Sequence, residues 1–314
     1  MLHIDPAREW RGGQRQLELL VRGLAARGWR QRVLCGSPEL LMRLDGLEGV
    51  ELVAVSGGFL ATALQARGLA QGMNTVAAHS SAGHGLAVAA GLRPVVHRRV
   101  DFPVSARGMG RIKYNRVRQF ICVSSAVMRV MAACGVPEQR MTVVYDGVEV
   151  APPAAPAELG PGRIVLAVGA LVDHKDHATL AAAAEGLDAR VLVAGEGPLR
   201  GRLSGTRLEL LGQRQDIPAL LARADVFVHC SKTEGMGQVV AEALAAGRPV
   251  VATTAGGVPE VVGEAGILVP VGDATALREG IRRALAGERM GAWDRERFSV
   301  ERMVEGTLAV YLGG

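Results

Sequence analysis

Two glutamates eight positions apart are the residues of this chain best placed for ligand chemistry. Glu234 and Glu242 flank a turn that contains Gly235 and Gly237. The apolar run Val226–Cys230 before the turn is typical of a buried strand, and the apolar periodicity after the turn predicts a helix. The turn is therefore expected to lead into a helix N-terminus at the carboxyl end of a strand.

Such a turn predicts an anion site, because backbone N–H groups and the helix dipole attract negative charge there. The residues predicted to hold a diphosphate through their amides are Gly235, Met236, Gly237 and Gln238. Eight helical residues turn through about 800°, so Glu234 and Glu242 are expected to face one groove, roughly 12 Å apart. Two acceptors on either side of an anion site suit a nucleotide sugar, which has hydroxyls at both ends of its diphosphate.

The elements that must position these residues alternate between strands and helices along the whole chain. Helical patterns include Gln14–Arg27 and Ser125–Cys134. The strand-like runs are Leu2–Ile4, Arg32–Cys35, Val50–Val55, Thr75–His79, Pro94–His97, Phe120–Val123, Val143–Tyr145, Ile164–Val168, Arg190–Ala194, Leu208–Leu211, Val226–Cys230, Pro249–Ala252 and Ile267–Val269. This alternation predicts parallel sheets with helices on both faces, in the α/β class.

A proline-rich stretch divides the chain. Residues Ala151–Gly162 contain four of the 14 prolines and predict an extended linker. We therefore expect two Rossmann-like domains, residues 1–150 and residues 151–314, that face a central cleft. Ligands of such sheets bind beyond the carboxyl ends of the strands.

Charge is distributed unevenly between the two predicted domains. Residues 1–150 carry 19 Lys and Arg against 11 Asp and Glu, whereas residues 151–314 carry 17 against 20. A basic first half suggests a polyanionic acceptor or an anionic membrane surface as its partner. Aromatic residues make up 4% of the chain and do not alternate with basic residues, so no nucleic-acid partner is expected.

The segment around the two glutamates resembles a known family. The E-x7-E spacing of Glu234 and Glu242, the glycine turn between them and the sequence Gly-Arg-Pro-Val-Val-Ala-Thr after them are similar to retaining glycosyltransferases of family 4, which have the GT-B fold. The resemblance implies that Glu234 contacts the donor sugar and that Glu242 contacts the ribose. It also implies that the last helix crosses back to the first domain, for which Val300–Tyr311 is the candidate.

The same resemblance extends to further donor-binding residues. Gly13 follows the first strand, and a glycine at this place faces the donor diphosphate in the family. Lys175 occupies the position of a lysine that neutralises the diphosphate, but Ala170 stands where the family usually has an arginine. The backbone around Arg214 is expected to meet the nucleobase.

Histidines supply the candidates for a contact with the transferred sugar. Many family members place a histidine a few residues after a strand of the first domain, and this chain offers His97, earlier than the usual spacing. His79 and His84 are the second candidates. Residues 97–118 around His97 carry seven Lys and Arg and one Asp, so this stretch is a candidate surface for an anionic acceptor or phospholipid.

Together these features predict an enzyme that moves a sugar from a nucleotide diphosphate-sugar to a glycan or lipid-linked acceptor, with retention of configuration, in cell-envelope biosynthesis. No metal and no cofactor besides the nucleotide-sugar co-substrate are expected. The predicted location is the cytoplasm, at the inner face of the membrane, without a membrane-spanning helix. A GT-B nucleotide-sugar epimerase and a non-catalytic nucleotide-binding subunit remain the alternatives, the latter because of Ala170.

Overall fold

The computed structural model describes residues 1–104, 109–149, 154–288 and 290–313. The chain divides into two compact units, one of Met1–Gly147 with Glu296–Gly314 and the other of Val148–Arg295. The first boundary lies three residues before the predicted one. The C-terminal segment from Glu296, which contains the helix candidate Val300–Tyr311, groups with the first unit, as the resemblance implies for the last helix.

All thirteen strands of the described residues lie close to the runs that the sequence predicts. They are β1 (Leu2–Asp5), β2 (Gln31–Cys35), β3 (Val50–Ala54), β4 (Val76–Ala78), β5 (Val95–Arg98), β6 (Gln119–Cys122), β7 (Met141–Val143), β8 (Ile164–Val168), β9 (Arg190–Ala194), β10 (Leu208–Gly212), β11 (Val226–His229), β12 (Val250–Thr253) and β13 (Ile267–Val269). The largest difference is at β7, which was expected at Val143–Tyr145. It begins earlier because Met141 pairs with Phe120 of β6.

Helices connect these strands. They are α1 (Gly12–Ala25), α2 (Pro38–Leu44), α3 (Phe59–Leu69), α4 (Ser81–Ala89), α5 (Met109–Asn115), α6 (Ser125–Ala133), α7 (His177–Ala184), α8 (Arg200–Leu203), α9 (Ile217–Arg223), α10 (Gln238–Ala245), α11 (Val258–Val262), α12 (Ala274–Leu285) and α13 (Val300–Leu312). Single 3-10 turns cover Glu138–Arg140, Asp173–Lys175 and Glu296–Phe298.

Each unit contains one parallel sheet. The first sheet has the order β3-β2-β1-β4-β5-β6-β7, and the second has the order β10-β9-β8-β11-β12-β13. The strand order therefore reverses between β1 and β4 in one unit and between β8 and β11 in the other. Parallel α/β sheets bind ligands at such reversals, beyond the carboxyl ends of the strands.

Apolar residues on both faces of each sheet form the cores. In the first unit, Leu20 and Leu24 of α1 pack with Val304 and Tyr311 of α13 against the sheet. In the second unit, apolar residues of β8, β9 and β11 pack with α7 and α12. Because central parallel strands are buried on both faces, they appear in the sequence as continuous apolar runs, which is why the strand prediction succeeds.

The predicted linker is irregular where the structure describes it, from residue 154 to residue 162. It is attached to the second unit, since the amide of Ala157 donates to the carbonyl of Ala219 at 3.0 Å. A guanidinium N–H of Arg223 also donates to the carbonyl of Gly162 at 2.7 Å. The first three residues of the predicted linker, 151–153, lie outside the described residues.

Candidate functional site

Two charged residues follow the adjacent central strands of the second sheet. Lys175 closes the 3-10 turn after β8, and Glu234 lies in the turn after β11. The strand order of this sheet reverses between β8 and β11. The topology therefore brings these two residues, 59 positions apart in the chain, to the edge where α/β sheets bind ligands.

The side chains of these residues form an ion pair. Lys175 Nζ lies 2.5 Å from Glu234 Oε2, and the two side chains are 19% and 18% exposed. The same carboxylate oxygen lies 3.1 Å from His229 Nε2 and accepts from the hydroxyl of Ser231 at 3.4 Å. One carboxylate oxygen of Glu234 thus contacts an ammonium group, an imidazole and a hydroxyl.

These neighbours determine the charge of Glu234. Burial would raise the pKa of its carboxyl, but the hydrogen bond from His229 and the charge of Lys175 outweigh burial and lower the pKa to about 2. Glu234 is therefore an ionised acceptor at neutral pH. Burial lowers the pKa of His229, so its imidazole is neutral there. Since a carboxylate only accepts, His229 donates its Nε2–H.

The glycine turn after Glu234 has the geometry that the sequence predicts for residues 235–237. Gly237 has φ +92°, a conformation that favours glycine, and α10 begins directly after it at Gln238. Met236 is buried, and the amide of Gly257 donates to the carbonyl of Glu234 at 3.1 Å. The first amides of α10 therefore come four residues after Glu234 in the sequence.

The helical spacing predicted for Glu234 and Glu242 needs correction. Only the last four of the eight steps between these residues are helical, because α10 begins at Gln238. The estimate of their separation from a continuous helix therefore does not apply. Glu242 lies within α10, where Gln238 Nε2 donates to its Oε1 at 3.4 Å.

Two glycines explain how the segment before Lys175 is packed. A Cβ at Gly195 would lie 1.9 Å from the carbonyl oxygen of Gly169, and a Cβ at Gly197 would lie 2.5 Å from that of Leu171. The loop after β9 therefore approaches the loop after β8 more closely than any side chain allows. Ala170, in the position where an arginine was expected, is exposed, and His177 Nε2 lies 3.2 Å from its carbonyl oxygen.

Arg214 is held within its own loop. Its Nε and Nη2 atoms donate to the two carboxylate oxygens of Asp216 at 2.7 and 2.5 Å. Asp216 occupies the N-cap position of α9, a position that its residue type favours, but its side chain makes no capping hydrogen bond. The carboxylate is directed to Arg214 instead, because a bidentate pair with a guanidinium is stronger than one bond to an amide.

Gly13 lies in the first turn of α1, after β1, and a Cβ at this position would meet nothing within 4 Å. The side chain of Gln14 stabilises this helix start in two ways. Its Oε1 accepts from the amide of Arg11 at 3.0 Å, and its Nε2 donates to Asp5 at 2.8 Å. The proposed role of Gly13 in diphosphate binding stays a prediction.

His97 lies inside the first unit, where its side chain is only 7% exposed. Its Nε2 atom lies 2.7 Å from the hydroxyl of Tyr311, and its ring stacks on His79 with centroids 4.3 Å apart. His79 and His84 are also buried. This placement favours a structural role for His97, and its contact with a sugar stays a prediction.

His229 is a site residue that sequence reasoning missed. It is the last residue of β11 and is 4% exposed. A single histidine in an apolar run is typical of a core position, so the sequence offers no signal for its contact with Glu234. Only the structure shows that this residue, five positions before Glu234, contacts its carboxylate.

The described residues include no group of three or more His, Cys, Asp or Glu side chains arranged to hold a metal ion. None of the helices in the described parts of the chain combines the length and apolar character needed to cross a membrane.

Models of two glycosyltransferase families match consecutive parts of the chain. Residues 10–151 match the model described as "Glycosyltransferase Family 4". Residues 162–287 match the model described as "Glycosyl transferases group 1". The first match ends just past the boundary at Gly147, and the second lies inside the second unit.

Two curated relatives match shorter segments. N-acetyl-alpha-D-glucosaminyl L-malate synthase of Bacillus anthracis is 32% identical over 114 residues, which are 33% of this chain and 30% of the relative. The lipopolysaccharide core biosynthesis glycosyltransferase LpsE of Rhizobium meliloti is 33% identical over 135 residues, 39% of each protein. The matched regions therefore span less than half the length of these relatives.

Solved structures match over the whole chain. The crystal structure of Anabaena Alr3699/HepE in complex with UDP and glucose has a TM-score of 0.82 at 21% identity, and the match covers 99% of this chain and 98% of that one. At this identity the likeness establishes the fold, which is GT-B. With two Rossmann-like units and consecutive matches to both family models, this chain belongs to glycosyltransferase family 4.

Proposed function

We propose that this protein is a retaining glycosyltransferase that moves a sugar from a nucleotide diphosphate-sugar to a hydroxyl of a glycan or lipid-linked acceptor. The observation that carries the proposal is the pairing of Lys175 with Glu234 where the strand order reverses. One residue offers a cation for a diphosphate, and the other offers an ionised acceptor for sugar hydroxyls. The UDP and glucose in the HepE complex support the same ligand class.

The chemistry follows from these charges. The bond between the anomeric carbon and the β-phosphate oxygen breaks, and the acceptor hydroxyl oxygen bonds to that carbon on the same face. Its proton passes to the departing phosphate. Negative charge develops on the diphosphate, where Lys175 and the first amides of α10 stabilise it. These groups supply the positive charge, so we propose that no metal ion and no further cofactor take part.

Within this proposal, Glu242 binds the ribose and the loop of Arg214 meets the nucleobase. Arg214 is held by Asp216, so its backbone is the part available for the base. The acceptor belongs to a cell-envelope polysaccharide or lipopolysaccharide. The similarity to LpsE, named for lipopolysaccharide core biosynthesis, supports this class.

The basic stretch of the first unit is proposed to meet the acceptor or an anionic membrane at the cytoplasmic side. Arg111 and Arg116 are exposed, and the apolar Ile112 between them is 58% exposed. Residues 105–108 of this stretch lie outside the described residues. Charge reversal at Arg111 and Arg116 is expected to weaken binding to acidic vesicles in a sedimentation assay. Unchanged sedimentation would exclude the membrane contact.

Calorimetric titration with UDP, GDP, ADP, CMP and NAD tests the donor site. One nucleoside diphosphate is expected to bind, and Lys175→Met and Glu242→Ala are each expected to weaken its binding about tenfold, or about 1.4 kcal/mol. Arg283→Met is the matched control, because Arg283 is an exposed cation of the same unit that pairs with Glu288. Failure of the wild-type protein to bind any of these nucleotides would contradict the proposal.

A non-catalytic nucleotide-binding subunit is the second candidate, and Ala170 in place of an arginine is the observation that favours it. The two candidates differ in turnover. Release of the nucleoside diphosphate with an acceptor present indicates transfer, and the anomeric configuration of the product, measured by NMR, tests retention. Nucleotide binding without release for any envelope glycan would favour the binding subunit. Conversion of the donor without an acceptor would indicate an epimerase.

A further inference from the structure

His229 is a buried residue at the candidate donor site to which the proposed chemistry gives no part. Its side chain is 4% exposed at the end of β11, and its Nε2–H donates to Glu234 at 3.1 Å. The acceptor is Oε2, the same oxygen that lies 2.5 Å from Lys175 Nζ. A neutral donor and a cation therefore share one carboxylate oxygen.

In the proposed function, only one of these two partners of Glu234, Lys175, also has to bind the donor. Lys175 is needed by the donor diphosphate, and an ammonium group 2.5 Å from a carboxylate already has its charge balanced. A bound diphosphate must therefore compete with Glu234 for Lys175. When Lys175 turns to the phosphates, Glu234 loses its cation while its side chain is only 18% exposed, and removing one partner from a largely buried charge is costly.

His229 is suited to hold the carboxylate during this exchange. It lies on a central strand, and burial lowers its pKa, so it donates in its neutral form and does not compete as a cation. Ser231 adds a weaker contact to the same oxygen at 3.4 Å. The main chain of Glu234 is also fixed, since its carbonyl accepts from the amide of Gly257 at 3.1 Å.

We propose that His229 is a positioning residue that keeps Glu234 in place while Lys175 transfers from Glu234 to the donor diphosphate. The proposal rests on the proposed function, because it requires a diphosphate at Lys175. In the empty site the Lys175–Glu234 pair opposes diphosphate binding. His229 reduces this opposition, because its N–H donates to the carboxylate of Glu234 and stabilises that negative charge both before and after Lys175 leaves.

The proposal predicts affinity changes of opposite sign. Glu234→Gln removes the competing carboxylate, so the affinity for the nucleoside diphosphate is expected to rise about tenfold. His229→Leu leaves Lys175 as the principal partner of Glu234, so the affinity is expected to fall about tenfold. His229→Gln, whose amide can donate in place of the imidazole, is expected to restore most of the lost affinity.

His177→Leu is the matched control. His177 is another buried histidine of the same unit, and its Nε2 lies 3.2 Å from a backbone carbonyl at Ala170. The affinity of this variant for the nucleoside diphosphate is expected to be unchanged. Thermal unfolding of each variant identifies any loss of folded protein before the titrations are compared.

The outcomes distinguish the proposed function from the role of His229. Absence of nucleotide binding by the wild-type protein would overturn the proposed function. If the wild-type protein binds, equal shifts in Glu234→Gln and His229→Leu would overturn the role of His229. So would an unchanged affinity in His229→Leu, or an equal loss in His177→Leu. Opposite shifts with recovery in His229→Gln would establish it.

Discussion

The Nε2 atom of His97 and the hydroxyl oxygen of Tyr311 lie 2.7 Å apart, although 214 positions separate them in the chain. His97 is in β5 and Tyr311 is in α13, so this hydrogen bond ties the C-terminal helix to the first sheet. The backbone carbonyl of Tyr311 also accepts from Thr75 at 3.0 Å and from Arg118 at 2.9 Å. Tyr311 therefore connects three parts of the first unit.

Tyr311→Phe should destabilise the protein by about 1–3 kcal/mol, because it leaves the buried Nε2 of His97 without its partner. Tyr114→Phe is the matched control, since Tyr114 is a half-buried tyrosine of the same unit whose ring stacks on Phe120. Urea unfolding of the two variants and the wild-type protein gives the comparison. Equal midpoints for both variants would show that the hydrogen bond contributes nothing measurable.

Acid should destabilise the first unit through its buried histidines. Burial lowers the pKa of His3 to about 3 and the pKa of His79 well below its ordinary value. In the unfolded chain both titrate near 6.5, so below about pH 6.5 the unfolded state binds more protons. Above that pH the two neutral histidines contribute their full stabilisation to the folded state. Below it, each is expected to lower the free energy of unfolding by up to about 1.4 kcal/mol per pH unit.

Urea unfolding at pH 7.5 and pH 5 measures this dependence. His3→Gln should reduce it, because one buried group no longer titrates. A free energy of unfolding that is the same at both pH values would refute the expectation.

Removal of one partner from the buried pair Arg99–Asp146 should be costly. Arg99 Nε donates to Asp146 Oδ1 at 2.9 Å, and both side chains are largely buried. Burial raises the pKa of Asp146, while the charge of Arg99 opposes that rise. Arg99→Met is expected to destabilise the protein by about 3 kcal/mol, because an unpaired carboxyl stays buried.

Arg283→Met provides the comparison for that loss, since it breaks an exposed pair with Glu288. Exposed pairs contribute little to stability, so its melting temperature should stay near that of the wild-type protein. Equal melting temperatures for the Arg99 and Arg283 variants would show that the buried pair is no more important than the exposed one.

Gly237→Ala should disturb the turn that leads into α10. The residue has φ +92°, and a Cβ would lie 3.1 Å from Val258 Cγ2. The expected cost is about 1–3 kcal/mol of stability. Gly201→Ala in α8, where a Cβ meets nothing within 4 Å, should leave the thermal midpoint unchanged or raise it slightly. A larger loss in Gly201→Ala than in Gly237→Ala would contradict this account.

The sequence was sufficient for much of the fold. Ile164–Val168, Arg190–Ala194 and Ile267–Val269 have the bounds that their apolar runs predict. A strand that is buried on both faces of a parallel sheet consists of consecutive apolar residues, so it can be recognised from a short stretch of sequence. The glycine turn before α10 was predicted for a similar reason, because only a few residue types adopt its backbone conformation.

The errors arose where a local pattern was extended too far. The eight steps from Glu234 to Glu242 were treated as one helix, but α10 begins at Gln238 because Gly237 has a positive φ. Asp216 has the cap position that its residue type favours, yet its carboxylate pairs with Arg214. In both cases a neighbouring group changed the outcome that residue type alone suggests.

The sequence by itself determined the alternation of strands and helices, the glycine turn, and the presence of Lys175 and Glu234 after strands. Only the tertiary structure decided that β8 and β11 are neighbours, and hence that Lys175 pairs with Glu234 beside His229. It also decided that His97 meets Tyr311 inside the first unit. Periodicity reports which residues are buried, whereas the partner of a buried polar group depends on strand order, which contacts distant in the chain determine.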